Sequence, residues 1–145
     1  MRIFLIVALI LLSFSCKKEN TSQDLTDYNW VLTSQIASPA VTRNGITTTD
    51  YLSLENPLGC TSNFKFTFYV SGLFEASSNG PLCDMFGNRA KYRWTREGDQ
   101  IILNYNDEFP VRSFTKEGNT LIETSDITLN GSTHTITSTY IAEKK

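Results

Sequence analysis

Apolar and polar residues alternate along most of this chain with a period of two, the spacing of a strand whose successive side chains point to opposite faces. Phe64, Phe66, Phe68 and Val70 fall on one such face, with Lys65, Thr67 and Tyr69 on the other. Ser71 and Gly72 then supply a tight turn into Leu73, Phe74 and Glu75, which predicts a hairpin. Near the other end, Ile127, Thr128 and Leu129 run into Asn130 and Gly131. His134, Ile136, Ser138 and Tyr140 then alternate with Thr135, Thr137, Thr139 and Ile141. Asn-Gly between two such runs is the strongest short hairpin signal, because both residues tolerate the positive φ of a type I′ turn. From Tyr28 onward no stretch keeps apolar residues at helical spacing for three turns.

The chain also echoes itself at twenty residues. Trp94, Thr95, Arg96, Glu97, Gly98, Asp99 and Ile101 are answered by Phe114, Thr115, Lys116, Glu117, Gly118, Asn119 and Leu121. Each copy reads as strand, Gly-containing turn, strand, a repeat that suits an up-and-down meander. The alternation predicts eight strands, over 29–35, 63–70, 73–77, 90–96, 100–105, 110–116, 120–129 and 132–142. Residues 37–61 fit least well. They hold Pro39, Asn44, Gly45, Pro57 and Gly59 and read as a long loop with one helical turn around 50–54. The expected fold is all-β, an antiparallel meander with enough strands to close a barrel.

The first residues follow a different pattern. Met1 and Arg2 precede ten apolar residues over 3–12, and Ser13, Phe14 and Ser15 lead into Cys16. The apolar run is too short to cross about 30 Å of hydrocarbon, and reads as a secretion signal over 1–15 that is removed. Residues 13–16 resemble the bacterial lipobox, in which a small residue precedes a cysteine that is acylated and becomes the mature N-terminus. The resemblance implies lipidation at Cys16 and attachment to the membrane through covalent lipid, two or more acyl chains being needed for a stable anchor. Lys17 to Asp24 contribute no apolar residue. Residues 16–27 are therefore expected to be the acceptor cysteine and a flexible tether, with the domain over 28–145. Lys18 beside Glu19 is similar to the surface-export signals of some Gram-negative lipoproteins. The expected address is the cell envelope, at the outer membrane, with the periplasmic or surface side left open.

Composition narrows the function. The chain has 145 residues, enough for one domain after the leader, and its nine Phe, six Tyr and two Trp can build a real core. A formal charge of −2, more negative once Arg2 leaves with the leader, gives nothing that recruits nucleic acid. Arg89, Lys91 and Arg93 alternate with Tyr92 and Trp94, as a charged outer face over an aromatic inner one would. The single histidine, His134, falls on the inward face with Ile136 and Tyr140. Nothing in the sequence pairs it with a nucleophile, and no enzyme is expected. No metal or nucleotide motif occurs and no cofactor is expected; Asn104, Asn106, Asp107 and Glu108 read as a solvated turn. Three cysteines make an odd number, Cys16 at the leader and Cys60 and Cys83 within the domain.

With these residues in place, 28–105 resembles the small lipocalin-like domains of bacterial lipoproteins. The features that carry it are Trp30, Cys60, Phe66 and Phe68, Gly72 with Phe74, Cys83, Trp94, and Ile101 with Leu103. The family pattern implies a disulfide between Cys60 and Cys83, reasonable in an oxidising compartment and worth roughly 3 kcal/mol on the chain-entropy model. Two functions stay open. In one, Trp30, Phe66, Phe68, Phe74, Tyr92, Trp94, Phe114 and Tyr140 line a monomeric barrel that takes one small hydrophobic ligand. In the other the same rings pack on one another, and a non-enzymatic envelope protein meets a protein or glycan through its surface.

Overall fold

The computed structural model describes residues 22–55, 64–78, 92–104 and 112–145. A short helix α1 (Ser22–Thr26) leads into a long strand β1 (Tyr28–Arg43), which turns back through β2 (Ile46–Asp50) into a second short helix α2 (Tyr51–Glu55). The meander follows as β3 (Lys65–Phe68), β4 (Leu73–Ser77), β5 (Tyr92–Glu97), β6 (Gln100–Asn104), β7 (Arg112–Glu117), β8 (Thr120–Leu129) and β9 (Ser132–Lys144). Every neighbour is antiparallel, in the order β2-β1-β3-β4-β5-β6-β7-β8-β9, and β9 pairs back onto β1. The expected all-β barrel is thus present, with β1 and β3 to β9 as its eight staves and β2 outside the closure.

The expected long loop over 37–61 is corrected as far as residue 55, and 56–61 lie outside the described residues. β1 runs on to Arg43, and Asn44 and Gly45, at φ 52° and 80°, turn the chain into β2. The same dipeptide at Asn130 and Gly131, at φ 51° and 80°, makes the predicted β8–β9 hairpin. Pro39 masked the first of these signals, since proline removes a ladder donor. The strand absorbs it at an irregularity, the register shifting between Ile36 and Val41. The helical turn expected around 50–54 is α2.

The tether expected over 16–27 also ends earlier. α1 belongs to the folded unit, because Leu25 is fully buried in the barrel core and Thr26 is buried beside it. Trp30 Nε1 donates to the Leu25 carbonyl at 3.0 Å, and Lys116 Nζ reaches the Asp24 carboxylate at 3.0 Å. The barrel consequently has two unlike ends. At the base stand α1 and the turns 69–72, 98–99 and 118–119; at the upper end β1 and β2, and β8 and β9, continue beyond the barrel as a flap.

The twenty-residue echo is a repeated hairpin, β5–β6 and then β7–β8. Trp94 and Phe114 are both buried, as are Ile101 and Leu121. Arg96 Nε and Lys116 Nζ each donate to the carbonyl of the glycine two residues on, Gly98 and Gly118, both at 2.7 Å. Lys116 is also drawn to α1 through Asp24, with its ammonium 5.8 Å from the centre of the Trp30 ring.

Candidate functional site

Seven of the eight residues proposed to line the barrel, Trp30, Phe66, Phe68, Phe74, Trp94, Phe114 and Tyr140, are buried in one cluster, and Tyr92 packs half-buried against it. They meet one another. Phe66 sits at the centre, its ring 5.0 Å from Phe64, 5.3 Å from Phe114, 5.4 Å from Tyr140 and 6.1 Å from Phe74. Phe68 meets Trp94 edge-on at 5.6 Å, and Tyr92 stacks on Phe74 at 5.8 Å. Such offset and edge-to-face arrangements are those preferred by the ring quadrupoles. The rings form a floor across the lower and middle barrel.

Above this floor the inner wall turns polar. Across β1, β9 and β8 the inward residues fall into rows fixed by the strand register. Leu32, Tyr140 and Leu121 make one row; the next towards the upper end is Gln35, Ser138 and Glu123; the next is Ala37, Ile136 and Ser125. Gln35 Nε2 donates to Ser138 Oγ at 3.0 Å. Arg112, inward on β7 two residues above Phe114, donates from Nε to Glu123 Oε1 at 2.6 Å and from Nη2 to Glu123 Oε2. A bidentate pair of this kind fixes both side chains in orientation as well as charge.

The guanidinium lies over two rings, 5.3 Å from the centre of Phe66 and 5.4 Å from that of Phe114. The Tyr140 hydroxyl completes the group, 3.3 Å from Arg112 Nη2 and from Glu123 Oε2. Burial pushes the phenol far above its ordinary pKa, with the Glu123 carboxylate adding to the effect and Arg112 opposing it, so the hydroxyl stays protonated and can donate. Glu123 keeps 9% of its side-chain surface exposed and Arg112 31%. The pair therefore marks the level at which the apolar interior meets solvent.

A second, smaller apolar cluster stands beyond the polar row on the flap, made of Ala37, Val41 and Ile136 with Tyr51, Leu54, Ile127 and Leu129 against them. α2 spans both regions, since Leu52 packs against the barrel cluster. Asp50 caps this helix, accepting from Ser53 N at 3.2 Å and from Ser53 Oγ at 2.6 Å. Beside it Arg43, Asn44, Ile46, Ser53, Leu54 and Glu55 enclose an open depression of about 310 Å³. His134 faces inward as expected, with Nδ1 3.0 Å from the Pro39 carbonyl oxygen. A carbonyl can only accept, so Nδ1 carries the proton and the ring ties β9 to β1. Arg93 faces outward, while Arg89, Lys91, Asn106, Asp107 and Glu108 lie outside the described residues, as do Cys16, Cys60 and Cys83. Among the described residues no three His, Cys, Asp or Glu side chains converge.

The sequence reading missed Arg112 and Glu123, although a signal was there. Glu123 shares the parity of Leu121, Ile127 and Leu129 along β8, and Arg112 that of Phe114 along β7. Opposite charges at inward positions of two neighbouring strands are the mark of a buried pair. Comparison of the chain with models of known protein families, with curated proteins and with solved structures finds no match.

Proposed function

We propose that this protein is an exported lipoprotein of the lipocalin-like kind, held at the outer membrane by acyl chains on Cys16 and bridged between Cys60 and Cys83. Its barrel binds one small amphipathic molecule at the upper end and catalyses no reaction. The observation that supports this reading is the placement of the Arg112–Glu123–Tyr140 group. It sits on the inner wall directly over an aromatic floor, away from the end to which α1 is docked. An apolar surface with a few convergent polar groups at its margin is what orients a small ligand. Because Glu123 already neutralises Arg112, a neutral head group bearing hydroxyls fits this margin better than a carboxylate, which would have to displace Glu123 and leave it unpaired.

In sequence Cys60 and Cys83 flank the β3–β4 hairpin, five residues before Lys65 and six after Ser77, which stand opposite each other. Intact mass with and without reduction checks the bridge.

The test of binding is mass spectrometry of an organic extract of the natively purified protein, with amide NMR shifts during titration with monoacylglycerols and fatty acids. Trp fluorescence is the poorer probe, because the indole nitrogens of Trp30 and Trp94 bond to Leu25 and Tyr69 at the base. The expected result is a stoichiometric amphiphile and shifts centred on Arg112, Phe114, Glu123 and Tyr140. An empty extract with no shifts overturns the reading. The packed rings around Phe66 favour the second one in that case, an envelope protein that meets a protein or glycan through its outer surface.

A further inference from the structure

Five large apolar side chains are markedly exposed among the described residues, and the most exposed, Val70 at 83%, stands beside another of them, Tyr69 at 40%. Both belong to the turn 69–72 between β3 and β4. This turn is rigidly held. Tyr69 N donates to the Leu73 carbonyl at 2.9 Å, Gly72 N to the Tyr69 carbonyl at 3.0 Å, and Trp94 Nε1 to that same Tyr69 carbonyl at 3.1 Å. Trp94 N bonds the Gly72 carbonyl at 2.9 Å, so both ends of the turn are fastened to β5. Val70 is thus presented to the outside by a fixed support.

The turn adjoins the point where the chain departs towards Cys16. Lys145 Nζ donates to the Thr26 carbonyl at the end of α1 and to the Phe68 carbonyl at the end of β3, at 3.0 Å for the latter, and lies 5.5 Å from the centre of the Tyr69 ring. One ammonium therefore touches both α1 and the Tyr69 turn. Cys16 precedes Ser22 by six residues, and six residues reach at most roughly 20 Å even when fully extended. A lipid on Cys16 would hold this rim close to the bilayer surface.

Charge divides the base into two arcs. Lys144, Lys145, Asp27 and Glu143 gather where β9 ends and β1 begins, and they balance. Glu75 nearby accepts the Tyr69 hydroxyl at 2.8 Å. Further round, Glu97, Asp99 and Glu117 flank the two remaining basal turns, against Arg96, whose Nε is taken by the Gly98 carbonyl. With Glu75 the first arc carries one net negative charge beside an apolar tip and an aromatic ring, and the tip and ring favour the boundary between headgroups and acyl chains. The second arc is acidic and favours water.

We propose that the base of the barrel is a lipid-facing surface, on which the rim around Tyr69 and Val70 rests at the headgroup boundary while the acidic turns tilt away and the flap points outward. This rests on the reading of Cys16 as the lipid anchor. The contact depends on apolar burial, and zwitterionic lipid suffices for it.

The experiment uses the acylated full-length protein reconstituted in phosphatidylcholine vesicles, some of whose acyl chains carry bromine as a contact quencher of tryptophan. Two variants are compared, Val70→Trp and Ile46→Trp, both at exposed positions at opposite ends of the molecule. β1 alone spans up to about 50 Å, so quenching at position 70, after subtraction of the wild-type signal, is expected to be about threefold or more that at position 46. Equal quenching at the two positions, or stronger quenching at 46, overturns the proposed orientation while the lipid anchor stands. Absence of acyl mass on Cys16 overturns both together.

Discussion

The two apolar clusters among the described residues share one face of β1, β8 and β9, yet they are built differently. Below the row of Gln35, Ser138 and Glu123, closure of β9 onto β1 surrounds the side chains on all sides, and aromatic rings fill the space. Above the row, β1, β8 and β9 continue, and among the described residues α2 packs over Ala37, Val41 and Ile136. The difference teaches that strand pattern decides which residues face inward, whereas closure decides whether inward means buried. The barrel draws its stability from large non-local burial, and the flap from hairpin pairing and the small cluster under α2.

The sharpest way to break the comparison is Phe66→Ala. Phe66 is fully buried and meets five other rings, so its truncation is expected to cost about 3–5 kcal/mol. Denaturant unfolding followed by circular dichroism should show barrel and flap lost in one transition, because the flap has no core of its own size. A flap that survives would mean that the smaller cluster folds independently.

Removing the boundary comes next. Glu123→Leu leaves Arg112 over the rings without its carboxylate and should destabilise by roughly 2–3 kcal/mol, less than for a fully buried pair because Arg112 is partly exposed. Adding Arg112→Met should recover most of that loss, joining the two clusters into one. Equilibrium unfolding of both singles and the double variant gives the coupling directly. If the singles simply add, the pair is not what separates the clusters.

A smaller effect is expected from Leu54→Ala on α2, about 1 kcal/mol for a half-buried side chain. Hydrogen exchange should quicken in β2 and the upper parts of β8 and β9 and stay unchanged in β5 to β7. Uniform acceleration would show that flap and barrel open together.

Acid should sharpen the same contrast by the least amount. The Ser53 hydroxyl and then its backbone N–H, both bonded to Asp50, hold this carboxyl below its ordinary value of 3.8. A depressed pKa in the folded state means that the cap contributes fully above the unfolded value and is lost as pH falls through the folded one. Protection of the Ser53 amide, relative to its intrinsic exchange rate, should therefore fall as the pH drops below the ordinary carboxyl value of 3.8, ahead of barrel amides, and Asp50→Asn should abolish that pH dependence.

Much of the barrel was legible because its strands alternate cleanly and its hairpins carry Gly at the turn. β4 and β8 match the expected spans, and the paired copies around Gly98 and Gly118 were visible as a repeat. Reading failed where a local signal had to be weighed against another. Asn44 and Gly45 promised a hairpin as clearly as Asn130 and Gly131 did, but Pro39 argued for a loop, and the strand tolerates proline at an irregularity. Leu25 stood alone in a polar segment, and nothing local said that a barrel end needed a plug. The candidate site was half legible: its aromatic floor followed from parity, whereas Arg112 and Glu123 are forty or more residues from Phe66 and meet it only through the sheet.

The sequence by itself determined the fold class, the inward face of nearly every strand and the sites of the hairpins, because these depend on side-chain period and on local backbone preference. Only the tertiary structure decided which inward residues are buried, that α1 seals one end and α2 leans over the other, and that a polar row divides the interior. Those features arise when distant strands pair in register. Closure of a barrel is a property of the whole chain, and no window of its sequence contains it.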